Sequence, residues 1–167
     1  MKFLFTILLI SLSLNLNAQQ KAPNFKLENL DGKYVDLKSL LGKGPLLLSF
    51  WATWCKPCVE ELAEYKNLYA DYKDKGFEMI AISTDDEKTV AKVKPFSKAK
   101  DYNFMILLDT NSEVARKYYV QNVPYTFLLD EKGNIIYSHL GYKKGDELLV
   151  KNKIETLLSS SSEKTTE

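Results

Sequence analysis

Only two cysteines and a single histidine occur among the 167 residues, and that scarcity excludes much. A structural zinc site asks for four Cys or His ligands; three such residues cannot supply them. A disulfide-stapled fold asks for bridges that close long loops, whereas Cys55 and Cys58 lie three positions apart. Joining them closes a tiny loop worth about 2 kcal/mol in chain entropy. A surplus of one charge is missing too: 23 Lys+Arg stand against 22 Asp+Glu, interleaved along most of the chain. The basic face that nucleic acid requires is therefore absent. With 45% hydrophobic residues, the length suits one domain around one sizeable core.

The chain opens MKFLFTILLISLSLNLNAQQ. Lys2 supplies a positive end, Phe3 to Leu14 an apolar stretch, and Ala18 a small residue at a cleavage position, the pattern of an export signal over residues 1–18. The stretch is shorter than the ~20 apolar residues of a membrane span. A retained anchor or a buried N-terminal helix is the alternative. No cysteine follows the stretch, so it offers no site for a lipid anchor, and cleavage would leave a nearly neutral chain.

Downstream, Ala22 to Asp36 alternates as a hairpin with an Asp31-Gly32 turn. PLLLSFW, Pro45 to Trp51, is a continuous apolar run, expected of a central strand covered on both faces. Val59, Leu62, Tyr65, Tyr69 and Tyr72 then recur at helical spacing, and Gly76 ends that helix. Phe77 to Ser83 reads as a second buried strand. Thr84 and Glu87 form a capping-box pattern predicting a helix through Val90 and Val93, which Pro95 should kink or stop. Phe104 to Leu108 is a short strand, and Ser112 to Tyr119 a helix. YTFLLD and NIIYSHL are strands joined by EKG, with Gly133 available for a positive φ. A last helix is predicted over 146–158, and residues 159–167 read as a disordered, solvated tail. Trp51, Phe77, Phe104 and Phe127 are the expected aromatic core. The order defines an α/β sandwich with parallel central strands and an antiparallel edge.

The cysteine pair lies where a buried strand gives way to a helix. Pro57 is acceptable in a first turn, whose amides have no intrahelical partner. The helix N-terminus and the neighbouring Lys56 would stabilise a thiolate on Cys55, the attacking species in disulfide exchange. Cys58, one turn further in, suits a resolving thiol. A staple, half of a metal site and a redox pair all remain open on spacing alone.

WCKPC, Trp54 to Cys58, between strand and helix resembles the active site of the thioredoxin superfamily. NVPYTFLLDEKGNII resembles that superfamily's cis-proline segment and the strand pair following it. With the APNFKLENLDGKYVDL lead-in, nearly the whole mature chain, residues 19–158, resembles the extracytoplasmic TlpA/ResA/CcmG-like subgroup. The resemblance implies a thioredoxin-like sandwich: a central mixed sheet flanked by helices, with an N-terminal hairpin extension and a βα insertion. It implies Cys55 as nucleophile, Cys58 as resolving cysteine and Pro124 as a cis-proline that frees the Val123 backbone for an extended substrate, with Trp54 shaping the partner surface. Thioredoxins carry a buried Asp six residues before the first cysteine; this chain has Ser49 there. Glu61, in a CxxCxxE spacing that matters in the ResA-like subgroup, is the candidate to move the Cys58 proton; the plainer alternative is a solvated helix glutamate like Glu60 and Glu64. Lys56 is a surface lysine with a modest electrostatic effect on Cys55.

The lead-in also resembles peroxiredoxins, but their PxxxTxxC pattern would need Pro and Thr where Leu48 and Ala52 stand. Cys55, Cys58 and His139 could form a three-ligand copper site like that of the Sco copper chaperones, which use CxxxC where this chain has CxxC; His139 otherwise reads as a strand histidine. The expectation is an exported, soluble, monomeric thiol–disulfide oxidoreductase with no cofactor or metal beyond its own Cys55–Cys58 disulfide. It would reduce disulfides of exported proteins, apocytochrome c among them, and draw electrons from a membrane thiol–disulfide donor. Periplasmic disulfide oxidation is the opposite direction for the same site.

Overall fold

A computed structural model describes residues 19–163. The export-signal reading of residues 1–18 and the last residues of the tail fall outside it.

One seven-stranded sheet has the order β2-β1-β5-β4-β3-β6-β7. Its centre is β3 (Leu46–Trp51), with every residue buried, parallel to β4 (Glu78–Ser83) and antiparallel to β6 (Tyr125–Leu129). Strand β5 (Met105–Leu108) pairs parallel with β4. The predicted hairpin forms β1 (Lys26–Asn29) and β2 (Tyr34–Asp36), which extend the sheet antiparallel beyond β5. At the other edge β7 (Ile135–Leu140) pairs antiparallel with β6 through a turn at Gly133, φ 78°.

Alternation along β3 explains the continuous apolar run. Leu47 and Trp51 point to a layer shared by α1 (Lys56–Tyr72), α2 (Val93–Ala99) and α4 (Asp146–Glu163). Leu46, Leu48 and Phe50 point to the opposite layer, which holds Phe25, Leu37 and α3 (Glu113–Lys117). Neither face of a central strand meets water, so no polar alternation survives. Trp51, Phe77, Phe104 and Phe127 are all buried. After α1, a single 3-10 turn ends at Gly76, φ 96°, a left-handed stop that glycine adopts without steric penalty.

Two expectations are corrected. No helix opens at the Thr84–Glu87 pattern: the Thr84 hydroxyl donates to the Trp51 carbonyl, and the Asp86 carboxylate accepts from the amides of Lys88 and Thr89 in a turn. Helical structure starts only with a 3-10 turn at Val90–Lys92, which runs on through Val93 into α2, and Pro95, in the first turn of α2, does not stop it before Ala99. The tail from Ser159 is not wholly irregular, because α4 continues to Glu163. The Ser159 and Ser160 hydroxyls bond back to carbonyls one turn earlier, so serine does not stop the helix.

Candidate active site

At the end of β3 the chain turns through Ala52–Trp54 into α1, and Cys55 takes the N-cap position with extended backbone (φ −88°, ψ 99°). Its Sγ accepts the Cys58 amide at 3.3 Å, using one of the N–H groups that a first helical turn leaves unpaired. A disulfide joins Cys55 and Cys58. Cys55 keeps 5% of its surface exposed and Cys58 none, so of the two only Cys55 has any surface open to solvent. Lys56 extends into solvent 3.9 Å from Glu60, an exposed pair of small energetic weight. Trp54 is exposed, the reverse of the neighbouring Trp51.

The turn is held from the loop just past β4. Buried Asp85 accepts the Thr53 amide at 2.9 Å, the Thr53 hydroxyl at 2.6 Å and the Ser83 hydroxyl at 2.9 Å. Two residues before Cys55, the backbone is thus fixed by a carboxylate thirty-two positions away. Asp85 carried no recognisable signal in the sequence, since it follows a strand and precedes a turn like many aspartates.

Glu61 lies one helical turn beyond Cys58 and is 1% exposed. It is no solvated helix glutamate. The Ser49 hydroxyl, from β3, donates to its Oε2 at 2.9 Å, and the Thr126 hydroxyl, from β6, donates to its Oε1 at 3.0 Å. Burial pushes the carboxyl up to about 7, against the hydrogen bonds from Ser49, Thr126 and Tyr65, which favour its charged form. Ser49 occupies the position where thioredoxins place Asp. Here the acidic group comes instead from the facing helix, and the strand contributes a donor to it. Thr126 and Tyr65 were not singled out from sequence; Thr126 lies two residues after Pro124, and Tyr65 one turn after Glu61.

The Val123–Pro124 peptide is cis, and the Pro124 carbonyl accepts the Gly141 amide at 2.8 Å, tying the β6 entrance to the end of β7. Val123 and Trp54 line one groove of about 300 Å³ together with Thr84, Ser112, Val120 and Gln121. His139 is engaged elsewhere: its Nε2 is 3.3 Å from the Asp146 carboxylate and its ring stacks on Tyr137. Among the described residues, Cys55, Cys58 and His139 do not come together as a metal-ligating group, so the copper reading is not favoured.

A dithiol at a helix N-terminus, a cis-proline strand and a mixed sheet between helical layers define a thioredoxin-like protein that exchanges disulfides. The AhpC/TSA family matches residues 18–138. Over 129 residues the chain is 39% identical to the thiol-disulfide oxidoreductase ResA of Bacillus cereus, covering 77% of this chain and 73% of that one. A putative thiol:disulfide interchange protein DsbE from Chlorobium tepidum superposes with a TM-score of 0.77 at 28% identity, over 84% of this chain and 96% of that one. An uncharacterized thioredoxin-like protein from Porphyromonas gingivalis gives 0.71 at 35% identity, over 84% and 94%. The chain therefore belongs to the thioredoxin-like AhpC/TSA family, among its ResA-type thiol–disulfide oxidoreductases. Leu48 and Ala52, both buried, stand at the two positions where a peroxidase pocket would need Pro and Thr.

Proposed function

We propose that this oxidoreductase works outside the cytoplasm as a reductant of protein disulfides, with Cys55 as nucleophile, Cys58 as resolving thiol and Glu61 as proton carrier. The Cys55 thiolate attacks one sulfur of a client disulfide; a mixed disulfide forms and the first client sulfur leaves as thiolate. The Cys58 thiol gives its proton to Glu61 and attacks Cys55 Sγ. The second client sulfur leaves, and two electrons have passed from the dithiol to the client. What carries this reading is the placement of Glu61: a buried carboxyl titrating near 7, one turn from the resolving cysteine. A base matched to ambient pH is the effective one for moving a thiol proton.

Trp54, Val123 and Pro124 form the substrate side, and Lys56, drawn to Glu60, adds only a weak, salt-screened field. The export-type N-terminus supports action on exported proteins, apocytochrome c among the candidates, with a membrane thiol–disulfide carrier returning electrons. The deciding experiment is equilibration of the Cys55/Cys58 couple in a thiol redox buffer. A potential near the thioredoxin value of about −270 mV is expected; one near the DsbA value of about −120 mV would make the protein an oxidant and reverse the proposed direction. Cys55→Ser is expected to abolish insulin reduction, and Cys58→Ser to accumulate the mixed disulfide.

A further inference from the structure

Tyr118 and Tyr119 are adjacent, yet only the first is accounted for by the fold. Tyr118 is buried, packs on Phe25, Phe50 and Phe127, and donates its hydroxyl to the Pro23 carbonyl at 2.9 Å. Tyr119 is 80% exposed, and among the described residues no hydrogen bond or ring contact holds its side chain. Its backbone lies in the left-handed region at φ 56°, just past the C-terminus of α3. Helices that end this way place glycine there, because any Cβ is strained in that conformation. A bulky aromatic residue at such a position is disfavoured twice, by its backbone and by its exposed ring, and strain of this kind concentrates where function requires it.

The position gives the ring a use. Tyr119 opens the segment that runs through Val120 and Val123 to the cis bond at Pro124. On one side of that segment Val120, Val123 and exposed Trp54 line the groove beside Cys55, and no charged side chain lines it. On the other side Tyr119 and Tyr125 line a second depression of about 160 Å³, in which Lys117 is the one charged lining residue. Leu140, 53% exposed, stands directly across the strand pair from Tyr125. The exposed aromatic Tyr34, by contrast, lies under the Lys26 ammonium on the far edge of the sheet.

We infer that Tyr119, with Tyr125 and Leu140, forms a second contact surface that holds the client chain beyond the Trp54–Val123 groove. Its occupant is an extended, uncharged segment of an unfolded client polypeptide, carrying an aromatic or aliphatic residue a few positions from the cysteine being reduced. A charged client residue in the groove would lose its hydration and meet no partner. Both depressions flank the same short stretch of chain, Val120 and Val123 lining one and Tyr119 and Tyr125 the other, so one extended client segment can reach across it to both. The inference rests on the reductase reading above, in that the client is a protein disulfide.

The test is steady-state reduction of insulin and of hydroxyethyl disulfide by Tyr119→Asn, Tyr119→Phe and the natural chain. Asparagine tolerates the left-handed backbone, so Tyr119→Asn keeps the fold, with a thermal midpoint at or above that of the natural chain. It is expected to raise KM for insulin about fivefold with kcat little changed, the size of loss typical of an aromatic contact residue. The preference for insulin over hydroxyethyl disulfide falls with it, and Tyr119→Phe restores both. An unchanged KM in Tyr119→Asn would overturn the inference alone. A natural chain that reduces hydroxyethyl disulfide but not insulin would overturn the protein-reductase reading and this inference with it.

Discussion

The Ser49 hydroxyl and the Glu61 carboxylate lie 2.9 Å apart, joining the middle of the central strand to the helix that carries both cysteines. Together with Thr126 at 3.0 Å, this contact keeps an acidic group dry, hydrogen-bonded and one turn from Cys58. Four measurable consequences concern the site and its supports.

Replacing Glu61 by Gln keeps the size of the side chain and removes its proton affinity. Turnover of insulin is expected to fall by roughly a hundredfold, the lower end of the range for loss of a general acid–base group. The pH profile of the natural chain should show an inflection near 7 that the variant lacks. An inflection surviving in Glu61→Gln would assign it to another group.

The same carboxyl makes stability depend on pH in a fixed direction. Its value is raised from 4.5 to about 7 on folding, so between those limits the native chain binds the proton more tightly than the unfolded chain. Stability therefore falls as pH rises through that window and levels off above it. The full difference is about 3 kcal/mol. Urea melts of the oxidised protein at pH 5 and pH 8 check it: Glu61→Gln should flatten the difference, and a natural chain more stable at pH 8 would reverse the sign.

Asp85 holds the active-site turn through three hydrogen bonds, two of them to Thr53. Asp85→Ala strands those donors, with an expected cost of about 2–3 kcal/mol for the buried groups left unpaired. Because the Thr53 backbone, two residues before Cys55, is no longer anchored, the reduction potential should move as well. Loss of stability with an unaltered potential would show that Asp85 supports the fold and not the site.

His139 faces Asp146 and Tyr137, so His139→Ala should bind copper with the same affinity as the natural chain. A drop in affinity on titration would restore the metal reading.

Much of this was legible in local pattern. The buried strand before Cys55, the periodicity of α1, the Gly76 stop and the Gly133 turn depend on neighbours along the chain, which is where alternation and φ preferences act. WCKPC and the segment around Pro124 pointed to the chemistry through their resemblance to the thioredoxin superfamily, since spacing alone left a staple and a metal site open. Local pattern misled at Thr84, whose hydroxyl was taken by Trp51 across the sheet, thirty-three positions away. It could suggest but not decide the place of Glu61, because Glu60, Glu61 and Glu64 are indistinguishable until helix α1 is laid on the sheet. Packing turned one of them inward onto Ser49 and Thr126, twelve and sixty-five positions away. Sequence by itself determined which residues could exchange a disulfide, since that needs only two thiols at the start of a helix. Tertiary structure alone decided which carboxyl was desolvated, which aspartate held the turn and which tyrosine was left outside, because burial is set by what folds over a residue and not by what precedes it.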